Sequence, residues 1–215
     1  VAASPGGGRV LPMPRQGRSV RGLARAAMAL DTLACQRTVS AALAEQGALA
    51  TWDDLVRPVL AALGEKWSQT DRGVEIEHAF SMVVAGALAA HSARLARPLN
   101  TRPVLLASAP EELHDLPLLA LQAALSELGV LSLVLGARTP DHALRDAVAR
   151  VGPPVIVLFA QMPGAAQPDL PAVRPAPTVL RGGPGWATGS PPAGRIAGLG
   201  DAVGAVCMAM GLAHS

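Results

Sequence analysis

Residues 103–136 read PVLLASAPEELHDLPLLALQAALSELGVLSLVLG, and this stretch decides the fold of the second half of the chain. Val104–Ala107 is a short apolar run of the kind that forms a buried strand. Leu116–Leu128 carries apolar residues at helical spacing and stops at Gly129. Leu131–Leu135 is again strand-like. A strand, a helix and a strand at this spacing predict parallel pairing, because the intervening helix must carry the chain back to the starting edge.

The pattern continues outward from there. Thr139-Pro140 predicts a helix start, with a cap residue and a proline at the first helical position, running to Val151. Val155–Phe159 is a third apolar run. Pro163–Pro177 is rich in proline and alanine, so the next helix is expected to be short or missing. Thr178–Leu180 and Arg195–Leu199 are candidate fourth and fifth strands, and Asp201–Met210 a last helix. Residues 98–215 are thus expected to form a flavodoxin-like (Rossmann-like) doubly wound domain.

The first half has a different rhythm. Residues 1–18, with Pro5, Gly6–Gly8, Pro12 and Pro14, look like linker. Residues 19–97 predict a four-helix bundle. Leu23, Ala26, Ala27 and Leu30 mark the first helix, and the second runs from near Asp31 to Gly47. Thr51 with Asp54 resembles a capping box opening the third, which carries Leu55, Val59, Leu60 and Leu63 to Trp67 and is expected to kink at Pro58. The fourth follows Gly73 and runs from about Val74 to Leu95. Arg97–Pro103 is the expected domain boundary.

Composition narrows the function classes. The chain has 215 residues, half of them apolar and 16% charged, so it can bury real cores and is not disordered. A net charge of +2 is too small to argue for nucleic-acid binding by this chain alone. The two cysteines, Cys35 and Cys207, lack metal-ligand spacing and suit buried thiols in a reducing compartment, which makes the cytoplasm the expected location. No apolar stretch is long enough to span a bilayer. Residues 1–30 carry five arginines and no acid, which faintly resembles a transit peptide. A chain opening on Val1 in a linker-like segment also suggests an upstream domain.

Two short strings carry chemistry. In the first, His114 follows the first predicted strand, at the crevice where open α/β sheets bind ligands. Glu112, two residues before it, can hold the ring Nδ1–H and leave Nε2 for a metal; on local sequence alone a surface histidine in an acidic turn is the plainer reading. In the second, WSQTDRGVEIEH, Trp67 is followed after nine residues by Glu77 and His78. Ser81, Met82, Ala85 and Ala89 continue that helix face. Gly182-Gly183, after the fourth strand, allow close approach to the backbone or make an ordinary turn before Pro184.

Taken together, these strings resemble the cobalamin-binding half of the CarH/LitR-type regulators of the MerR superfamily, and more distantly the cap-plus-corrinoid module of methionine synthase. The resemblance covers roughly residues 20–215. Trp67, Glu77 and His78 match the Trp-x9-Glu-His of the helical part. Glu112 and His114 match the Asp/Glu-x-His of the sheet domain, and Gly182 and Gly183 its later glycine pair. The resemblance implies adenosylcobalamin as cofactor, with His114 as lower axial cobalt ligand in place of the cofactor's own dimethylbenzimidazole and Glu112 tuning it. It implies Trp67, Glu77 and His78 around the 5′-deoxyadenosyl group. It also implies a light sensor that self-associates as a dimer or tetramer and binds DNA through a separate N-terminal helix-turn-helix domain.

Three positions depart from the family pattern. Pro117 stands where the histidine motif has glycine. Phe159-Ala160-Gln161 replaces the Ser-x-Leu after the third strand, which removes the usual residues of the nucleotide-tail contacts. Ser68 replaces the histidine that captures cobalt after photolysis. The expected function is an adenosylcobalamin-binding photoreceptor module of a transcriptional regulator, and not an enzyme. The alternatives are a corrinoid protein carrying methyl groups for a methyltransferase system, and a degenerate interaction module that binds no corrinoid.

Overall fold

The computed structural model describes residues 11, 17–70, 72–165, 168, 170–186 and 195–212. The expected linker, residues 1–18, lies almost wholly outside them. The chain divides into two compact units, Val1–Ala87 and Leu88–Ser215. The sequence placed the change further on, at Arg97–Pro103.

The first unit is helical: α1 (Arg18–Met28), α2 (Thr32–Ala50), a π-helical turn (Thr51–Val56), α3 (Arg57–Thr70) and most of α4 (Val74–Ser92). Asp31 caps α2, its Oδ1 accepting from Ala34 N at 2.9 Å. Val20, Leu23, Ala24 and Ala27 bury one stripe of α1, and Cys35, Val39 and Leu43 one stripe of α2. Phe80, Val84, Ala87 and Leu88 do the same for α4, at spacings of one and two helical turns.

The predicted capping box at Thr51 is not what opens the third helix. The break lies at Gly47, whose φ of 80° and ψ of 175° leave the helical region, and the chain is helical again before Thr51. Thr51 is fully buried with helical dihedrals, and its hydroxyl accepts from Gln46 Nε2 at 3.4 Å. Strain expected at Pro58 appears as the π turn just before it. A proline has no N–H and crowds the carbonyl four residues back, and a wider turn relieves that crowding.

The second unit holds one parallel sheet: β1 (Val104–Ser108), β2 (Ser132–Gly136), β3 (Val155–Phe159), β4 (Thr178–Gly182) and β5 (Arg195–Ile196), in the order β2-β1-β3-β4-β5. The helices are α5 (Leu116–Glu127), α6 (Asp141–Val151) and α7 (Leu199–Ala209). This is the flavodoxin-like order, with its topological switch between β1 and β3. Every residue of β1 is buried, as expected of a central parallel strand. Leu105, Ala107, Ile156 and Leu158 form one face with Leu144 and Val148 of α6 and with Trp186.

Several boundaries move. Pro140 is the N-cap of α6, and the Thr139 hydroxyl donates back to Gly136 O at 3.1 Å without capping the helix. The fifth strand is two residues long, and Leu199, expected at its end, begins α7. Helix α4 ends at Ser92, before Leu95. Among the described residues no helix lies between β3 and β4, as the proline content required. Arg181 is buried in β4, opposite Leu158, with Nη1 lacking a hydrogen-bond partner; the structure offers no reason for it.

Candidate functional site at the sheet's carboxyl edge

All five strands run parallel, so the loops after β1, β3 and β4 emerge on one edge. Glu112 ties two of them together. Its carboxylate is almost fully buried, with a side-chain exposure of 1%. One oxygen, Oε1, accepts from His114 N at 2.8 Å and lies 2.5 Å from His114 Nδ1. The other, Oε2, accepts from the backbone N–H groups of Gln161 and Met162, the latter at 2.9 Å. Its main-chain carbonyl accepts from Arg138 N at 2.8 Å, which adds the loop after β2. Three loops therefore converge on one residue at the β1/β3 switch.

Burial alone pushes the Glu112 carboxyl up in pKa. Hydrogen bonds from His114 N, Met162 N, His114 Nδ1 and Gln161 N outweigh it and hold the group below the usual carboxylate range. An ionised carboxylate only accepts, so Nδ1 must be the donor of their shared bond. With the Nδ1 proton so engaged, Nε2 is the ring nitrogen left for a metal, and no described residue bonds that atom. The His114 side chain is 52% exposed. A half-exposed imidazole whose Nδ1 is held by a buried carboxylate is the arrangement of a metal-ligating histidine. Ser108 donates to His114 O at 3.3 Å, and Asp115 N-caps α5 without a side-chain bond, so Pro117 falls in the first turn of α5, where its missing N–H costs nothing. The flanking Leu113 and Met162 are 65% and 55% exposed, giving the edge an apolar surface around the imidazole.

Gly182 and Gly183 end β4 on this same edge. Gly183 has φ +88°, and a Cβ there would lie 2.2 Å from Ala160 O. The glycine is demanded by the chain's own loop packing, which the sequence reading did not foresee. Trp186 seals the turn from below, its Nε1 donating to Gly182 O at 2.9 Å.

The remaining expected residues belong to the helical unit. Trp67 lies in α3, 44% exposed, so it is not a core tryptophan. Glu77 closes the first turn of α4 and His78 follows it, Glu77 partly buried and His78 exposed. Ser68 is exposed and donates to Glu65 O at 2.8 Å. The sequence missed Gln161 and Met162, because the groups they contribute are backbone N–H donors that every residue but proline carries. No group of three or more metal-binding side chains occurs among the described residues.

The described chain is a four-helix unit followed in sequence by a flavodoxin-like sheet with an oriented histidine at its switch point. Residues 20–91, the four helices, match the B12 binding domain family. The chain is 35% identical over 112 residues to the HTH-type transcriptional repressor CarH of Myxococcus xanthus, an alignment covering 51% of this chain and 36% of the repressor. Structures of the methanol:cobalamin methyltransferase complex MtaBC from Methanosarcina barkeri (14% identity, TM-score 0.39, 91% of this chain and 82% of that one) and of a cobalamin-binding protein from Desulfitobacterium hafniense DCB-2 (17%, 0.40, 87% and 96%) are distant likenesses. The chain is thus similar to the B12 binding domain family over its helical part and to the repressor CarH over 112 residues, and it spans about a third of that relative's length.

Proposed function

We propose that the chain is the adenosylcobalamin-binding sensory module of a transcriptional regulator, not an enzyme, and that light is its signal. The observation that carries the reading is the Glu112–His114 pair: a buried carboxylate 2.5 Å from Nδ1 of a half-exposed imidazole whose Nε2 no described residue bonds. When bound, adenosylcobalamin supplies a light-labile cobalt–carbon bond, a property of the cofactor itself. The protein's part is to hold it. His114 Nε2 would ligate the cobalt. Glu112 fixes the tautomer and the ring orientation, and the amides of Gln161 and Met162 keep Glu112 in place. The exposed Leu113 and Met162 give the macrocycle an apolar floor. In this proposal Trp67, Glu77 and His78 attend the upper ligand, and Gly182 and Gly183 shape the edge beside it.

The regulator is proposed to be cytoplasmic and to self-associate as a dimer or tetramer. DNA contact is assigned to a helix-turn-helix domain outside these 215 residues. No helix among the described residues is long and apolar enough to cross a membrane.

The test is one absorption series. The chain is mixed with adenosylcobalamin in the dark, then exposed to green light, beside His114→Ala. The expected result is tight dark binding with a histidine-ligated spectrum that changes on illumination. In His114→Ala binding weakens and the spectrum loses the nitrogen ligand. An unchanged affinity and spectrum in the variant refutes the ligand assignment. A dark complex that light leaves unaltered refutes the sensor reading.

A further inference from the structure

A cobalamin whose lower position is taken by His114 has released its own benzimidazole. The nucleotide tail that carries this base must then lie somewhere, and this question rests on the reading just given. A tail leaving the lower face of the ring meets the carboxyl edge of the sheet. Two openings there are natural receivers: the crevice between the ends of β1 and β3, and the space over the glycine pair after β4.

The chain itself fills both. In the β1/β3 crevice lies the buried Glu112 side chain, bonded across to Gln161 N and Met162 N. Opening that crevice would strip a buried carboxylate of its donors. Over the glycine pair lies the ring of Phe159. A Cβ on Gly182 would sit 3.7 Å from Phe159 Cδ2, and one on Gly183 3.0 Å from Phe159 Cε2. The space these glycines leave is taken up by an aromatic ring of the same chain. The loops after β3 and β4 also lie backbone on backbone, with Gly185 N donating to Ala160 O at 2.9 Å and a Cβ on Gly185 meeting Met162 O at 2.2 Å.

A third hollow remains at this edge, with a volume of ≈ 300 Å³. It is roomy enough for part of a nucleotide, but its chemistry is wrong. Among the described residues Glu111, Glu112 and Asp141 line it, with apolar residues and Gly164 and no lysine, arginine or histidine. The tail carries a phosphodiester, and an anion among carboxylates with no cation is repelled.

We propose that this chain recognises a corrinoid by its macrocycle and lower axial coordination alone, and leaves the nucleotide tail unread. Its ligand class is corrinoids in general, complete cobalamins and tail-less cobinamides alike. His114 and the apolar edge supply the contacts; Phe159, Glu112 and the acidic hollow exclude the tail.

The experiment uses the wild-type chain in the dark. Cobalamin and cobinamide with the same upper ligand are titrated separately, and Kd is read from the absorption change. The expected result is a histidine-ligated spectrum with both, at affinities within about tenfold of each other, less than one well-formed pocket contact contributes. A preference for cobalamin greater than about tenfold overturns the inference and leaves the cobalt assignment standing. Binding of neither compound overturns the cobalt assignment, and the inference falls with it. Phe159→Ser gives an independent reading: opening the glycine cradle is expected to raise affinity for cobalamin over cobinamide relative to wild type. An unchanged ratio in a variant with wild-type circular dichroism counts against Phe159 as the excluding group.

Discussion

Glu112→Ala removes the carboxylate that ties the loops after β1 and β3, while keeping the main-chain carbonyl that holds Arg138 N, and the structure sets the size of the effect. Three backbone donors lose their partner: His114 N at 2.8 Å, Met162 N at 2.9 Å and Gln161 N. A hydrogen bond to a charged acceptor contributes about 1.5–3 kcal/mol, and an orphaned buried donor costs about 1–3 kcal/mol. Gln161 and Met162 are exposed residues, so water reaches their amides once the carboxylate is gone and the low end applies. Relief of the buried charge offsets part of the loss. The expected net cost is about 2–3 kcal/mol in the sheet unit, from three donors at roughly 1 kcal/mol each. Glu112→Gln is expected to recover only part of this, because its NH2 must face at least one of the same donors. Urea unfolding, followed by circular dichroism and by tryptophan fluorescence, measures the difference, provided that the slope with denaturant is unchanged. The sign of the pH dependence follows from the depressed Glu112 carboxyl. A group whose pKa falls on folding contributes stability that is complete above its unfolded value, about 4.3, and is lost as pH drops through the folded one. The gap between wild type and Glu112→Ala should therefore hold at neutral pH and close in acid. A Glu112→Ala protein within about 0.5 kcal/mol of wild type at pH 7, the range of ordinary surface substitutions, would refute the claim that Glu112 ties these loops.

Gly183→Ala should cost more than about 2 kcal/mol in the same assay, because it adds left-handed strain at φ +88° to a clash with Ala160 O. Gly86→Ala is the contrasting case: with nothing within 4 Å of its Cβ in the middle of α4, it should stabilise by about 0.5–1 kcal/mol, and the reverse order of the two would contradict the loop geometry. Burial raises the pKa of both Cys35 and Cys207, with Asp31 adding to the rise at Cys35. Both thiols should resist alkylation at pH 8 in the folded protein and react at once in urea; fast native labelling of either, read by intact mass, would show that its helix opens.

Much of the fold was legible because its signals are local. Val155–Phe159 is a strand with the predicted bounds, since five consecutive apolar residues between Gly-Pro-Pro and a proline-rich stretch have no other stable use. Helix ends were less legible. Thr51 looked like a cap by its spacing to Asp54, yet the break is at Gly47, where backbone freedom outweighed side-chain chemistry. Trp67 could not be assigned to core or surface from α3 alone, because its helix carries apolar residues on more than one side; at 44% exposure it is a surface residue.

By itself, then, the sequence determined the order of helices and strands, the parallel sheet, and the position of His114 and Glu112 on the loop after the first strand. These follow from hydrophobic periodicity, breakers and the direction of parallel strands, all readable within a few residues. Only the tertiary structure decided what surrounds that histidine. The donors that hold Glu112 are backbone N–H groups 49 and 50 residues away, which side-chain identity does not mark. That the glycine pair shelters Phe159 and the Ala160 carbonyl emerges only once β3 and β4 lie in register, Phe159 beside Gly182. Side-chain types are written in the chain; which groups meet is fixed by the packing of strands that are distant in sequence.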